Sequence, residues 1–354
     1  MSNDPPFIGW PELLTRLLAG NDIGADAAGS AITEILRGDA TPSQMTAFVV
    51  ALRAKGETAG ELEGMLRAVR TAGNRVTLPA DVAARAVDIV GTGGDKSYSV
   101  NVSTMAALVT AGAGVPVCKH GNRAASSKCG AADVLEAAGV AVELDPAGVE
   151  ECVTETGFGF CLAARFHPAF RHTGQSRREI GIPTVFNLLG PMANPAPVSN
   201  MLVGVAFPAV MDKMAAALQS RGVRSAWVVH GHGGLDELAV SGPNTVYALR
   251  DGEVEKFEID AKDHGIARSG IEDVRGGEVA ENLAALRSLL DGQKGPVRDI
   301  VVFNAACAMH VAGLVSDIAD GIDRACASID SGAAHEVLER AVEVSRRAAA
   351  RMGQ

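Results

Sequence analysis

The sequence predicts an α/β protein: a small N-terminal α-helical domain followed by a larger α/β domain with a mainly parallel central sheet flanked by helices. Two observations predict this division. Residues 10–73 show apolar positions at helical spacing and no strand-like alternation. From residue 86 onward, short apolar runs alternate with alanine-rich helical stretches, which is the pattern of a parallel sheet covered on both faces.

The helical domain is expected to span residues 1–82 and to contain four helices. Two of these helices have clear start signals, because Thr41 precedes Gln44 and Thr58 precedes Glu61 at the spacing of a capping box. A helical segment this small often needs surface from a partner. Its apolar faces could therefore serve its own core or a homodimer contact.

The α/β domain is expected to span residues 83–354. The apolar runs predict strands at 87–90, 115–118, 141–144, 158–163, 201–206, 225–230 and 245–249. The intervening stretches predict helices at 104–112, 128–138, 146–156 and 208–221, with a C-terminal set from about residue 304. A segment from about 170 to 197 is expected to leave the sheet, contribute to the helical domain and return.

Composition excludes several classes of function. The net charge of −10 argues against binding nucleic acid, which requires Lys and Arg to neutralise phosphates. No apolar run approaches the roughly 20 residues of a membrane-spanning helix, so no membrane partner is expected. The N-terminus lacks the features of a signal peptide, and the six cysteines show no C-x-x-C pairing. A reducing, cytoplasmic location is therefore expected.

A glycine-rich cluster, Gly91-Thr92-Gly93-Gly94-Asp95, follows the first predicted strand. The chain continues through Ser99 to a predicted helix start at Asn101, Val102, Ser103 and Thr104. Glycines let backbone N–H groups converge on a ligand, and a helix N-terminus adds further unpaired N–H groups. Together they predict a phosphate-binding site, although a tight turn with ordinary helix capping would explain each part alone.

A second polar cluster, Lys119-His120-Gly121-Asn122-Arg123, ends the next predicted strand, and Ser126-Ser127 follow it. A solvated loop would tolerate these residues without requiring them. Two fixed positive charges beside a glycine instead favour a second phosphate-binding segment that faces the first. A ligand held at two such places carries phosphates at two ends, as does a sugar with a pyrophosphate and a separate phosphate.

Two further groups carry candidate chemistry. Asp236 and Glu237 are adjacent carboxylates on a loop; such residues usually face solvent, but near phosphates they suit Mg²⁺. Arg177 lies in the 170–197 excursion, with His167 just before it. Arg177 fits either a solvated helix face or a forked pair with a carboxylate ligand. His230 and His232 could suggest a zinc site, but the sequence has no Cys or further His at ligand spacing, so a plain glycine loop is the preferred interpretation.

These clusters, in this order, resemble the anthranilate phosphoribosyltransferases of tryptophan biosynthesis. The resemblance covers nearly the whole chain. It rests on the motifs G-T-G-G-D, N-x-S-T, K-H-G-N-R-x-x-S-S, H-P-A, F-N-L-L-G-P-x-x-N-P and L-D-E-L. It implies Mg²⁺-dependent transfer of the phosphoribosyl group from 5-phosphoribosyl 1-pyrophosphate to the amine of anthranilate. It also implies a homodimer formed through the helical domain.

The resemblance also implies roles for individual residues. Anthranilate would contact Gly91, Asn122, Arg177 and, as a weaker candidate, His167. Two Mg²⁺ ions would be held by Ser103, Asp236 and Glu237. Lys119, Asp236 and Glu237 would act in catalysis, with His120 as a weak candidate base. The residues implied in binding 5-phosphoribosyl 1-pyrophosphate are Gly91, Gly94, Asp95, Ser99, Asn101, Val102, Ser103, Thr104, Lys119, His120, Gly121, Asn122, Arg123, Ala124, Ala125, Ser126, Ser127 and Ala131.

Three positions depart from the family pattern: Lys96 stands where glycine is more common, Cys129 replaces a common serine and Pro183 replaces a common arginine. None of these changes removes a charged catalytic group. Two other functions are alternatives on the sequence alone. A pyrimidine nucleoside phosphorylase shares the fold, and a non-catalytic binding protein of the same fold would have a basic surface and no metal ligands.

Overall fold

The computed structural model describes residues 7–124 and 128–353 of the protein. Its first part contains the four predicted helices: α1 (Trp10–Leu18), α2 (Gly24–Arg37), α3 (Pro42–Lys55) and α4 (Ala59–Ala72). Both expected capping boxes are present at the starts of α3 and α4. The prediction of a small N-terminal helical domain is therefore confirmed.

A short helix, α5 (Ala80–Arg85), leads into the sheet. The strands are β1 (Val87–Gly91), β2 (Val117–Gly121), β3 (Phe158–Leu162), β4 (Asn200–Gly204), β5 (Ser225–His230), β6 (Asn244–Arg250) and β7 (Glu253–Ile259). Their order across the sheet is β3-β2-β1-β4-β5-β6-β7. The first five run parallel, and β6 and β7 add antiparallel to one edge, so the prediction of a mainly parallel sheet is confirmed.

One strand prediction was wrong and one strand was missed. Residues 141–144 form no strand, although Val142 and Leu144 are buried while Ala141 and Glu143 are more exposed, as in a strand. The backbone N–H of Ala141 donates to Ser345 Oγ (3.0 Å) rather than to a neighbouring strand. Alternating burial there reflects packing against a helix. Strand β7 was not predicted, because its residues are mostly exposed and charged at the open edge.

Helices cover both faces of the sheet. They are α6 (Val102–Gly112), α7 (Ala131–Ala137), α8 (Pro146–Thr156), α9 (Ala163–Phe166), α10 (Gly174–Ile180), α11 (Val185–Met192), α12 (Met211–Ser220), α13 (Val279–Leu290), α14 (Pro296–Val311), α15 (Ile318–Asp330) and α16 (Ala333–Met352). Helix α7 is shorter than predicted, and α13 was missed. None of the described helices is long and apolar enough to cross a membrane.

Two apolar cores lie on opposite faces of the sheet. Alternate residues of β1 enter different cores, with Ile89 on the side of α6 and α14 and Val90 on the other side. The second core is continuous with the core of helices α1–α4, so the helical part packs on that face of the sheet. Helix α10 contacts α3, and α11 contacts both α3 and α4. The excursion between β3 and β4 therefore packs against the N-terminal helices.

Candidate functional site

The glycine loop 91–95 lies at the carboxyl end of β1, and the loop that carries Asp236 folds directly over it. Gly93 N donates to Asp236 Oδ2 at 2.6 Å. A Cβ at Gly91 would lie 2.4 Å from that same oxygen, and a Cβ at Gly204, where β4 ends, would lie 1.7 Å from the backbone oxygen of Asp236. Both strands therefore need glycine at their ends, because a side chain at either position would displace Asp236.

A buried lysine lies beside this carboxylate. Lys119, on β2, is only 1% exposed, and its ammonium donates to Ser103 Oγ at 3.0 Å and to the carbonyl of Ile89. In the first turn of α6, Ser103 N donates to Glu237 Oε1 at 3.2 Å. The end of β1, strand β2, the start of α6 and the loop after β5 therefore meet at one place. We call Ser103, Lys119, Asp236 and Glu237 the buried cluster, in which Lys119 is buried and the other three are half-buried.

Charges within the buried cluster do not balance. Burial raises the pKa of Asp236, and the neighbouring Asp95 raises it further. Burial, followed by Asp236, raises the pKa of Glu237. Burial lowers the pKa of Lys119, while nearby carboxylates oppose that shift. Acidic groups outnumber the single ammonium, so a bound cation would relieve their mutual repulsion.

The donors of the buried cluster fit Mg²⁺. Asp236, Glu237 and the Ser103 hydroxyl offer hard oxygen ligands, and the surplus negative charge favours a cation. In the part of the chain that the structure describes, no three His, Cys, Asp or Glu side chains form a complete metal cage. Mg²⁺ does not require one, because it keeps several waters and commonly uses one or two carboxylates together with phosphate oxygens.

The remainder of the glycine loop is held by its own side chains. Asp95 Oδ1 accepts from Ser97 N at 3.1 Å, and the Ser97 hydroxyl lies 3.3 Å from that of Ser99. Gly94 and Lys96 both adopt positive φ, at 82° and 61°. Glycine is favoured at such positions, so the Lys96 departure from the family pattern costs backbone strain at this loop.

Helix α6 begins immediately after this loop. Asn101 is its N-cap, and the Asn101 side-chain amide donates to the carbonyl of Cys129 at 3.3 Å. Val102 and Thr104 are buried in the first turn, and Thr104 Oγ1 lacks a hydrogen-bond partner among residues 7–124 and 128–353. The backbone N–H groups of this turn already have partners, since Val102 N donates to the carbonyl of Val100 at 2.6 Å and Ser103 N to Glu237 Oε1 at 3.2 Å. An anion bound here would have to replace the Glu237 carboxylate on Ser103 N.

His120 lies on the opposite face of the sheet from Lys119, because adjacent residues of a strand point to opposite faces. The His120 ring is buried, and its Nδ1 lies 3.1 Å from the carbonyl oxygen of Gly190. Its ring centroid is 5.2 Å from that of His167. Burial, followed by His167, lowers the pKa of His120 well below its usual value, which favours a neutral ring.

The end of the second polar cluster turns away from the buried cluster. Arg123 forks onto the Glu136 carboxylate at 2.6 and 3.2 Å and pairs with Glu143 at 3.1 Å. Asn122 Oδ1 accepts from Arg123 N at 2.9 Å, and Ala124 N donates to Asp133. Gly121 ends β2 and Ala131 begins α7. Three of the sequence-predicted contacts, Ala125, Ser126 and Ser127, lie outside the described residues.

A series of ring contacts links His120 to Arg177. Ring centroids are separated by 5.8 Å between His167 and Phe170 and by 5.7 Å between Phe170 and Phe186. The Arg177 guanidinium lies 5.5 Å from the centroid of the Phe186 ring. It forms no hydrogen bond or ion pair with any other described residue, and burial lowers its pKa. A half-buried cation of this kind is available to a carboxylate ligand.

Sequence reasoning missed three residues at this site. Gly204 is needed for the approach of Asp236, and Thr92 Oγ1 accepts from Ala206 N at 3.1 Å, which joins the glycine loop to the end of β4. Asp88, on β1, is fully buried and accepts from His120 N of β2 at 3.1 Å. A glycine at a strand end was an available signal for Gly204. For Asp88, a single acidic residue within an apolar run, the sequence did not indicate which groups it would contact.

Comparison with known families defines the class of protein. Residues 83–335 match the model described as the glycosyl transferase family, a/b domain. Residues 11–73 match the helical bundle domain of the same family. The fold and the strand-end site are thus those of a glycosyl transferase.

Individual relatives narrow this class. A protein of Salinispora arenicola named anthranilate phosphoribosyltransferase is 49% identical over 341 residues, covering 95% of this chain and 96% of that protein. The chain therefore belongs to the anthranilate phosphoribosyltransferase family.

Solved structures agree with this assignment. The crystal structure of the Thermus thermophilus enzyme has a TM-score of 0.88 at 39% identity, covering 94% of this chain and 99% of that one. The Saccharomyces cerevisiae enzyme in complex with PRPP and Mg has a TM-score of 0.87 at 28% identity, with coverage of 96% and 98%. In complex with 4-fluoroanthranilate it has a TM-score of 0.85 at 26% identity, with coverage of 96% and 99%.

Proposed function

We propose that the protein transfers the phosphoribosyl group of 5-phosphoribosyl 1-pyrophosphate (PRPP) to the amine of anthranilate. The products are N-(5-phosphoribosyl)anthranilate and pyrophosphate, in the second step of tryptophan biosynthesis from chorismate. The observation that carries the proposal is the buried cluster over the glycine loop, in a chain 49% identical to an anthranilate phosphoribosyltransferase. The names of its relatives support this transferase rather than a nucleoside phosphorylase or a non-catalytic binding protein.

PRPP is proposed to bind along the carboxyl ends of β1 and β2. Backbone N–H groups of the glycine loop and of the first turn of α6 supply uncharged donors, and Lys119 supplies a buried positive charge. The yeast relative was solved with PRPP and Mg, which supports the same ligands here. The contacts proposed are Gly91, Gly94, Asp95, Ser99, Asn101 to Thr104, Lys119 to Ser127 and Ala131.

Two Mg²⁺ ions are proposed to bind at Ser103, Asp236 and Glu237. When bound, Mg²⁺ neutralises negative charge that develops on the leaving pyrophosphate. Lys119 adds to that stabilisation from a water-poor position, where its charge acts more strongly than in solvent. The bond between ribose C1 and pyrophosphate breaks with oxocarbenium character, so stabilising the leaving group promotes the reaction.

The acceptor requires positioning more than proton removal. The amine of anthranilate is already neutral at pH 7, so a strong general base is unnecessary. Arg177 is proposed to hold the anthranilate carboxylate, with Asn122, Gly91 and more weakly His167 completing the contacts. The free Arg177 guanidinium on Phe186 supports this role, as does the yeast relative solved with 4-fluoroanthranilate.

The protein is proposed to form a homodimer through its helical domain. An open groove of about 630 Å³ lies between α1, α3 and α10, and its lining is mainly apolar. Leu18 and Val50 in this groove are 79% and 39% exposed. A second copy of the chain would cover these side chains. Most of the groove's lining comes from residues 1–82, and Glu179 comes from α10. We propose residues 1–82, with a contribution from about 170–197, as one domain and residues 83–354 as the other.

A cytoplasmic location is also proposed. None of the six cysteines forms a disulfide, and five of them are buried. Cys118 and Cys161 lie with their sulfur atoms 3.6 Å apart without forming a disulfide, which suits a reducing compartment.

The proposed function is tested by mixing the protein with anthranilate, PRPP and Mg²⁺ and following anthranilate fluorescence. We expect fluorescence to fall only when all three components are present. Phosphate with thymidine or uridine serves as the competing assay. Product formation there, without any loss of anthranilate fluorescence, would instead identify a nucleoside phosphorylase.

A further inference from the structure

Helix α11 is fastened to the rest of the site at its C-terminal end. The last carbonyls of a helix lack partners within the helix, so other groups must satisfy them. Here Gly190 O lies 3.1 Å from His120 Nδ1, and Ala193 O lies 3.0 Å from His167 Nε2. Arg221, just after α12, donates to the carbonyl of Met192 at 2.6 Å. The end of this helix is therefore held by three side chains from different elements.

Asn194 continues this attachment immediately after α11. It is fully buried, and its amide nitrogen donates both to Asp88 Oδ2 and to the Cys118 carbonyl, at 2.8 Å each. Its side-chain oxygen accepts from Ala196 N at 2.8 Å. The other Asp88 oxygen accepts from His120 N at 3.1 Å. One side-chain amide thus joins the segment after α11 to both β1 and β2.

Burying the Asp88 carboxylate costs free energy, which indicates that the hydrogen bonds around it serve to fix the position of the segment after α11. Asp88 is completely buried, and burial raises its pKa to about 6, an effect that Lys119 and Asn194 oppose. Buried polar groups are costly unless they are all hydrogen-bonded, and a fully satisfied network is rigid. Asn194 uses both amide protons and its oxygen, so it holds the segment after α11 in one place.

Helix α11 connects the two halves of the proposed site. Phe186, near its start, supports the Arg177 guanidinium. Its end is tied by Asn194 to the strand that carries Lys119. The length and orientation of α11 therefore set the separation between the group proposed to hold anthranilate and the group proposed to hold pyrophosphate.

We propose that Asn194 is a positioning residue for the transfer reaction, fixing α11 so that the aromatic amine lies in line with the sugar carbon it attacks. Asn194 need not touch either substrate. It acts through α11 and through its hydrogen bonds to Asp88 and Cys118. The inference rests on the proposed function, because it requires an acceptor that binds beside α11.

The test compares Asn194→Ala with a matched control, Asn200→Ala. Asn200 is also a fully buried asparagine that donates to a backbone carbonyl, Ala86 O, at 3.0 Å, but it lies at the start of β4, at the far end of the sheet. Both variants remove a buried amide, so both are expected to lower Tm. Steady-state KM for anthranilate, KM for PRPP and kcat are measured for each, beside the wild-type protein.

We expect Asn194→Ala to lower kcat/KM for anthranilate about 10-fold or more, because a shift of about 1 Å in position can cost up to roughly 100-fold in rate. KM for PRPP should stay within about twofold of wild type. Asn200→Ala should leave kcat/KM for anthranilate and KM for PRPP unchanged. If Asn194→Ala does not fold, Asn194→Ser, which keeps an oxygen for the Ala196 amide, is measured in its place with the same expectation.

Two outcomes would overturn the inference, and they differ from each other. If wild type turns over anthranilate and the Asn194 variants lose only Tm, as Asn200→Ala does, Asn194 is structural and the proposed function stands. If wild type gives no turnover with anthranilate, the proposed function fails and the inference fails with it.

Discussion

Arg177 stacks on an aromatic ring and has no acidic partner among residues 7–124 and 128–353, although it is half-buried. Its neighbour Arg178 is exposed. A guanidinium in such surroundings loses hydration without gaining a carboxylate, and a bound anthranilate would supply the missing anion. Two adjacent arginines on one short helix therefore allow the ligand contact to be tested against a close control.

We expect Arg177→Ala to raise KM for anthranilate by about 10–100-fold, or roughly 1.5–3 kcal/mol, which is the contribution of a charged hydrogen bond. Arg178→Ala should leave KM near the wild-type value. Steady-state kinetics at saturating PRPP provides the measurement. An unchanged KM for anthranilate in Arg177→Ala would remove Arg177 from the site.

The double variant Asp236→Asn with Glu237→Gln tests the metal site. It keeps the size of both side chains but removes the surplus negative charge that favours a cation. Turnover should fall, and the Mg²⁺ concentration for half-maximal rate should rise. A Mg²⁺ titration of initial rate is the measurement.

The control for this experiment is Glu253→Gln with Glu255→Gln, two exposed carboxylates on β7. It makes the same change in net charge far from the glycine loop. If both double variants show the wild-type Mg²⁺ titration, Asp236 and Glu237 do not bind the metal.

At the scale of single residues, the sequence predicted which residues would lie near the site better than it predicted their contacts. The structure brings Lys119, Ser103, Asp236 and Glu237 together, because all four lie near the carboxyl ends of the parallel strands. Arg123 was expected beside them but pairs with Glu136. Which acidic residue captures an arginine depends on the folded positions of helices, which a sequence pattern does not specify.

At the scale of elements, β1 and β4 end side by side, in register from Val87 and Asn200 to Gly91 and Gly204. The backbone of Asp236 crosses directly above both ends. This crossing leaves no space for a side chain at Gly204, where a Cβ would lie 1.7 Å from the Asp236 carbonyl oxygen. The loop after β5 can therefore pack over the ends of β1 and β4 only if those ends carry no side chain.

We expect Gly204→Ala to destabilise the protein by roughly 1–3 kcal/mol, the usual cost of overpacking, and to reduce turnover because Asp236 must move. Gly60→Ala is the control, since Gly60 lies in α4 and a Cβ there would meet nothing within 4 Å. Chemical denaturation and initial rates measure the two effects. Equal stability and activity in both variants would contradict the crowding at Gly204.

Elements were predicted well where burial and pairing coincide, and poorly where they do not. Residues 141–144 have the alternation of a strand, but their buried side faces α16 and no strand lies beside them. Strand β7 has the opposite property, since it pairs fully with β6 while most of its side chains are exposed. Apolar periodicity reports burial, and it identifies a strand only when burial accompanies pairing.

At the scale of the whole molecule, the apolar groove between α1, α3 and α10 is an open surface of the helical part. Leu18 projects from it with 79% of its surface exposed. The sequence left open whether these apolar faces serve the chain's own core or a second copy. The structure places Leu13 and Leu17 of α1 in the chain's own core and leaves Leu18 exposed. One helix therefore has apolar residues that serve the core and another that is open to a second copy.

We expect Leu18→Glu with Val50→Glu to convert a dimer into a monomer, because two charges would have to be buried in the contact. Val254→Glu, at a similarly exposed residue on β7, is the control and should keep the wild-type mass. Sedimentation or light scattering gives the mass of each variant. A wild-type protein that is already a monomer would contradict the proposed dimer.

The two edges of the sheet differ in a way that bears on how the protein behaves at high concentration. Strand β3 is wholly buried and is packed by α8 and α16, so its free backbone groups are shielded by the chain itself. Strand β7 leaves its outer edge uncovered but carries Glu253, Glu255, Lys256 and Glu258 along it. Charges at an open edge oppose the addition of a further strand from another molecule. One edge is therefore covered by helices and the other is protected by charge. Neutralising all four charged side chains of β7 together should promote aggregation, measured by light scattering, while the turnover of the folded protein stays unchanged.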